Sequence, residues 1–225
     1  MNDLSLFLDI IVCIDVSANM NPVFEKIKQF TLSLPSSIKN YMQDIPFDNY
    51  QLRIKIITFR DYGSDSEPMT ESPFYTFPDQ SLAFKSFVDS LKTKRFSNGP
   101  KNALEAIALA LKSEWTTGGD RRRHAVCIFT GSPALPLGAR ANCPSYPQGM
   151  PADLNQLEAW WEGTDQSFSS TYQPSAGHLV AFVPKAEPWL ILQEWNRCLP
   201  TFFNTVTDLE NIDIQDIIDL ILFYD

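Results

Sequence analysis

Apolar positions fall in blocks along the chain, and the blocks alternate between two periods. Ile10 to Ile14 is a short β-branched run that stops at Asp15, the pattern of a strand buried on both faces. From Val23 the spacing changes. Ile27, Phe30, Leu34, Ile38 and Tyr41 follow at three to four residues, which predicts a long helix over 22–43, kinked or divided at Pro35. Residues 44–49, with Pro46, read as a turn, and the isoleucine-rich stretch 52–59 as a second strand. A polar segment over 63–72 reads as irregular, and 74–77 as a short edge strand held between Pro73 and Pro78.

Asp79 is placed to cap a helix whose inward stripe is Phe84, Phe87, Val88 and Leu91. Pro100 marks a first helical position, so 101–115 is expected to be helical, with a strand over 124–130 after it. The stretch 133–175 has no sustained period, carries five prolines between Pro133 and Pro151, and offers only a short helix over 153–161. A strand over 178–183, a helix over 188–199, a short strand over 202–206 and a C-terminal helix with Ile214, Ile217, Ile218, Ile221 and Leu222 inward complete the chain. Strands alternating with helices predict an α/β protein with a doubly wound, Rossmann-like, mostly parallel six-stranded sheet and helices on both faces. The first strand is expected at its centre. The chain reads as one domain, 1–225, with a long irregular insertion at about 133–175.

Charge narrows the partners. A net charge of −9 argues against nucleic acid or an anionic membrane surface as the partner. Arg121-Arg122-Arg123 is the one basic cluster, and a solvated loop before a strand accounts for it. Four cysteines, Cys13, Cys127, Cys143 and Cys198, show neither a C-x-x-C pair nor zinc spacing, which fits reduced thiols in the cytoplasm. The apolar N-terminus lacks a basic flank and is interrupted by Asp9, so it is not read as a signal peptide, and no apolar stretch reaches membrane-spanning length.

Asp15, Ser17 and Asn19 leave the first strand at spacing two. Three oxygens turned to one point suit a hard dication such as Mg2+. The same residues also suit a turn and a helix cap, and the three alone leave both readings open.

The stretch Asp9–Met20, DIIVCIDVSANM, resembles the opening of the von Willebrand factor A (vWA) domain, whose metal-ion-dependent adhesion site (MIDAS) begins D-x-S-x-S. Asn19 stands at the second serine. Phe59-Arg60-Asp61-Tyr62 resembles the F/Y-R-D motif of a stand-alone bacterial branch, and His178 to Trp189 resembles the tail of that branch. Where the branch has G-G-D-x-P-E, this chain reads Ser97-Asn98-Gly99-Pro100-Lys101-Asn102, with Asn98 at the aspartate. Where it has T-D-A-P, Thr130-Gly131-Ser132-Pro133 carries glycine instead of the acid.

The resemblance implies a metal site of Asp15, Ser17, Asn19 and Asn98 with Asp61 nearby, in which Asp15 is the only carboxylate kept from the three loops. Such a site is degenerate, and Mg2+ is expected to bind weakly or not at all; Gly131→Asp is expected to repair it.

The function implied is a non-enzymatic protein-protein interaction module, a regulatory or scaffolding subunit of a multi-protein bacterial system. Its partner would be another protein offering an acidic side chain to the metal-site face. Trp160, Trp161, Tyr146 and Phe168 of the insertion are the expected partner anchors. The alternative is Mg2+-dependent adhesion-type binding through an intact site. A hydrolase is the weaker reading: Ser17, Ser132 and Cys127 lie at or near strand ends while His124 and His178 lie at strand starts, roughly 20 Å away along the strand.

Overall fold

The computed structural model describes residues 5–43, 49–94 and 99–222. The expected turn at 44–49 therefore falls, but for Asn49, outside the described residues, as does Asn98. In order, the chain forms β1 (Ser5–Asp15), α1 (Phe24–Met42), β2 (Asn49–Phe59), β3 (Met69–Glu71), β4 (Tyr75–Phe77), α2 (Ser81–Ser90), α3 (Ala103–Leu111), β5 (Arg121–Phe129), α4 (Leu154–Glu162), β6 (Gly177–Pro184), β7 (Cys198–Phe203) and α5 (Ile214–Leu222).

Among the described residues the sheet has seven strands in the order β3-β2-β1-β5-β6-β7, with β4 also pairing β2. β1 lies between β2 and β5 and runs parallel to both, in unbroken register from Ser5–Asn49 to Asp15–Phe59 on the β2 side. β6 and β7 continue the parallel run, and the short β3 and β4 are antiparallel to β2.

Side chains alternate across a strand, so β1 feeds two cores. Leu6, Leu8, Ile10, Val12 and Ile14 enter the core under α1, α2 and α5. Ile11 and Cys13 enter the opposite core, with α3 and α4. Asp9 sits in the same strand at 1% exposure. It is kept there by Arg53, its register partner on β2, through two hydrogen bonds of 2.8 and 2.6 Å, and by the Thr116 amide at 2.7 Å. A buried carboxylate needs such a bidentate partner.

Several expectations change. α1 runs through Pro35 without a break; its buried stripe of Ile27, Thr31, Leu34 and Ile38 holds the helix across the one lost backbone bond. β3 arises inside the stretch read as irregular, because β2 offers it a free edge. α3 begins at Ala103, since Lys101 and Asn102 pair instead with neighbouring loops. The expected helix over 188–199 is a 3-10 turn, Trp189–Gln193. The last strand begins at Cys198, and its Pro200 is tolerated because β7 is an edge.

The largest correction concerns residues 133–175. This segment crosses over from β5 to β6, and α4 packs on α3. Trp161 is fully buried and Trp160 is 6% exposed, both in the second core. Trp161 donates through Nε1 to Asn196 O (2.7 Å), and Trp160 stacks on Phe168 at 4.0 Å between centroids. They are core residues rather than surface anchors.

His124, at the opposite end of β5 from the loops, stacks on Trp115 (4.8 Å) and near Tyr172 (5.9 Å). Its Nε2 contacts Thr116 O and its Nδ1 accepts from the Gln173 amide. That pairing defines a neutral tautomer, and burial pushes its pKa below the ordinary histidine value.

Two outcomes follow from this packing. Trp161→Ala should lower the unfolding free energy by about 3–5 kcal/mol, read by urea denaturation; a loss below about 1 kcal/mol would place the ring outside the core. With its folded pKa depressed, neutral His124 contributes stability above the unfolded value of about 6.5, and the contribution is lost as pH falls. His124→Gln should therefore lose less stability than wild type between about pH 8 and about pH 5. Equal losses across that range would refute the assignment.

Candidate functional site

Register places the C-terminal ends of β1, β2 and β5 side by side, at Asp15, Phe59 and Phe129. The loops that follow emerge at one end of a parallel sheet, where open α/β folds form a crevice. Asp15 is fully buried. Its Oδ1 accepts from the Ser17 amide (2.8 Å) and its Oδ2 from Thr130 Oγ1 (2.8 Å), tying the first loop to the loop after β5. Burial raises the pKa of this carboxyl, against the hydrogen bonds from Ser17 and Thr130 and the charge of Lys101. Asn19, half-buried, donates to Ser132 Oγ at 3.1 Å and closes a second tie between the same loops.

The turn reading of the motif is met by Asp15 and not by Ser17, whose side chain makes no cap bond at the head of the 3-10 turn Ala18–Met20. Ser17 Oγ is buried with no hydrogen-bond partner among the described residues.

The loop after β2 is locked differently. Arg60 is buried and donates to Val16 O (3.3 Å) and Glu67 O (2.7 Å), clamping the first loop to its own. Asp61 is paired by Arg140 of the crossover, Nε to Oδ1 at 2.7 Å and Nη2 to Oδ2 at 3.1 Å. Burial alone would raise Asp61, but Arg140, the Gly63 amide and Ser64 hold it below the usual carboxylate value. Arg140 lies so close over Gly63 that a Cβ there would sit 2.7 Å from its Nε.

Residues 101–102 join the loops. The Lys101 amide donates to Pro133 O, the Asn102 amide to Arg60 O, and Asn102 Oδ1 accepts from the Tyr62 amide (2.9 Å). The Lys101 side chain is fully buried, and its Nζ donates to Gly99 O at 2.6 Å.

Asp15, Ser17 and Asn19 are thus brought to one strand-end site, and Asp61 lies in the adjoining loop turned to Arg140. Asn98, the fourth expected ligand, falls outside the described residues. Of the expected anchors, Tyr146 is half-buried and donates to Glu105 Oε1 (3.0 Å), while Phe168 covers Trp160. The first part of the crossover reaches the strand-end loops, through Arg140 on Asp61 and through Tyr146, whose ring packs edge-on against Tyr62 at 5.2 Å between centroids. Its later part runs down the α3 flank, with Lys112 Nζ bonded to Gln148 O and the Gln173 amide to His124. Sequence reading missed Lys101 and Arg140. Nothing local marks either: one looked like an early helix residue, the other like a loop cation.

Among the described residues the donor set does not fit a dication. Ser17 Oγ is buried at the site, but among the described residues Asp15 is the only carboxylate at the point of convergence, and each of its oxygens already accepts a hydrogen bond. Asp61 is neutralised by Arg140, and a buried ammonium lies within electrostatic reach of Asp15. Among the described residues no cluster of three or more His, Cys, Asp or Glu side chains suits a metal. The expected repair would need its neighbours to shift by a few tenths of an ångström: a Cβ at Gly131 would meet Val206 Cγ2 at 3.0 Å and Met20 Sδ at 3.2 Å.

The family model of the von Willebrand factor type A domain matches residues 9–134, more than half of the chain, from β1 through the loop after β5. No curated protein matches. Among solved structures, proximal thread matrix protein 1 from the mussel byssus is similar, at 14% identity and a TM-score of 0.53 over 97% of this chain and 47% of that one. The pilus adhesin SpaC from Lactobacillus rhamnosus GG, in its open conformation, is similar at 12% identity and a TM-score of 0.53, over 95% of this chain and 30% of that one. The chain spans about half or less of the chains it matches. At these identities the likeness is one of fold.

Because burial raises Asp15 above its unfolded value, the ionised group weakens the fold at neutral pH, and the penalty is relieved as pH falls through the folded pKa. Asparagine preserves the geometry: Oδ1 accepts from Ser17 and Nδ2 donates to Thr130, whose hydroxyl turns to Ser132 O, 3.4 Å away. Asp15→Asn should raise the thermal midpoint at neutral pH, with the gain narrowing in acid, as scanning calorimetry across pH would show. A lowered midpoint would refute this balance.

Proposed function

Because the chain belongs to the von Willebrand factor type A family, we propose that it works as a non-enzymatic protein-interaction module whose partner docks on the strand-end surface. The observation that carries this reading is the convergence of three loops, each locked to the next by buried hydrogen bonds, at the C-terminal ends of β1, β2 and β5. Such a surface is held in shape before a partner arrives, which lowers the ordering cost of binding. Its rim offers Asn19, Lys94, Pro133 and Arg140, none fully buried.

Contacts there would be direct, since the donor set is poor in charge for a metal bridging to a partner's carboxylate. Residues 1–225 are read as one domain, with 133–175 built into it rather than standing off as a docking loop.

Catalysis has little support. His124 lies at the start of β5, and His178, also buried, at the start of β6, on the far side of the sheet from Ser17 and Ser132. Burial pushes the Cys127 thiol up to about 12, so it is not a nucleophile at neutral pH. All four cysteines are free thiols, which fits a reducing compartment and a regulatory or scaffolding subunit within a bacterial cytoplasmic assembly. No helix among the described residues is long and apolar enough to cross a membrane.

The test is comparative capture from the native host, quantified by mass spectrometry. Asn19→Arg, on the rim, should deplete the specific partner by about tenfold or more. Thr117→Arg, exposed in the loop at the opposite end of β5, should retain it. Equal capture by both variants would refute the strand-end surface.

A further inference from the structure

We propose that the Lys101 ammonium is the resident cation of the strand-end site, supplying the positive charge that a dication would bring, so that the surface is assembled without metal. Three independent observations meet at this residue. The first is burial: Lys101 is among the largest fully buried side chains of the protein, and lysine is rarely fully buried unless paired. The second is anchorage. Its amide donates to Pro133 O (2.9 Å), its carbonyl accepts from the Leu135 amide (2.7 Å), and the next residue bonds Arg60 O (2.8 Å). The backbone is therefore pinned between the loop after β2 and the loop after β5, and the side chain is delivered from the middle of the site.

The third is charge. Lys101 lies within electrostatic reach of Asp15, Asp61 and Asp65. Asp61 already has Arg140 in a two-point pair, and the Arg60 guanidinium, also within electrostatic reach of Asp15, is held by Val16 O and Glu67 O. Among the described residues the Lys101 Nζ has one hydrogen bond, to the neutral Gly99 O, and a buried ammonium calls for compensating charge as well.

Asp61 is thus matched by Arg140 across Gly63, and Asp15 lies within reach of the Lys101 charge. A dication entering here would meet the Asp15 carboxylate together with the positive charges of Lys101 and Arg60, and repulsion between buried charges is weakly screened. A carboxylate side chain at Gly131 would have to push aside Val206 and Met20. The inference goes beyond the interaction reading and does not depend on it, because neither arm of its test involves a partner.

The test has two arms on the full chain. In a double-mutant cycle followed by urea denaturation at neutral pH, Asp15→Asn should raise the midpoint more in the Lys101→Met background than in wild type, because Lys101→Met leaves the Asp15 charge unbalanced. An equal shift in both backgrounds would show that Lys101 does not serve Asp15 and would overturn the proposal. The second arm needs no change at Lys101 and stands even if Lys101→Met fails to fold. Chelator-treated wild type, titrated calorimetrically with Mn2+ and with Mg2+, should show no saturable site, and its thermal midpoint should be the same in chelator and in excess metal. Stoichiometric binding that Asp15→Asn abolishes would overturn the proposal.

Discussion

Strand β1 is hydrogen-bonded in parallel to β2 on one side and β5 on the other, and its two faces open into separate cores. Register on a strand buried this way is strongly specified, because a slip of one residue would exchange the residues of one core for those of the other. The same register sets the ends of three strands level. Everything at the strand-end surface follows: the Asp15 carboxylate reaches Thr130, Asn19 reaches Ser132, and Arg60 reaches Val16 O without any of these loops being long. The surface is a consequence of the sheet rather than a separate device added to it.

Electrostatics then decides what kind of surface it is. Buried carboxylates are tolerated where charge and donors surround them. Arg53 on Asp9 and Arg140 on Asp61 follow that rule, and the charge proposed for Lys101 at Asp15 would follow it too. The Asp9 pair lies within the sheet at the far end from the loops and is a matter of folding. The Asp61 pair lies at the strand ends, and with the charge proposed for Lys101 it would balance the internal carboxylates there. Asp15 is left with a raised pKa even so, which marks it as a residue held at some expense to stability.

The crossover from β5 to β6 has a structural task as well as a place at the surface. It must return the chain from one end of the sheet to the other. On the way α4 lays Leu157, Trp160 and Trp161 against the core beside α3, while Arg140 and Tyr146 are spent on Asp61 and Glu105. Its prolines limit regular structure without leaving it unpacked. That is why a stretch without helical or strand periodicity still holds Trp161, one of the largest fully buried side chains among the described residues.

Much of the architecture was legible in the order of residues. A β-branched run with no polar side marked β1 as central, three- and four-residue spacing marked α1 and α5, and the motifs after β1 and β2 identified the loops that meet. These features are legible because burial imposes a period on the chain wherever an element packs along its length. Other features depend on partners distant in sequence and leave no local trace. Lys101 becomes a buried cation because Pro133 and Arg60 hold its backbone; Arg140 becomes a counter-charge because it crosses Gly63; β3 forms because β2 has an edge to offer. The sequence by itself determined the fold class and the strand ends at which a site would form. Only the tertiary structure decided which charges face one another there, because the sign and strength of an electrostatic site depend on distance and burial, and neither is a property of a residue's place in the chain.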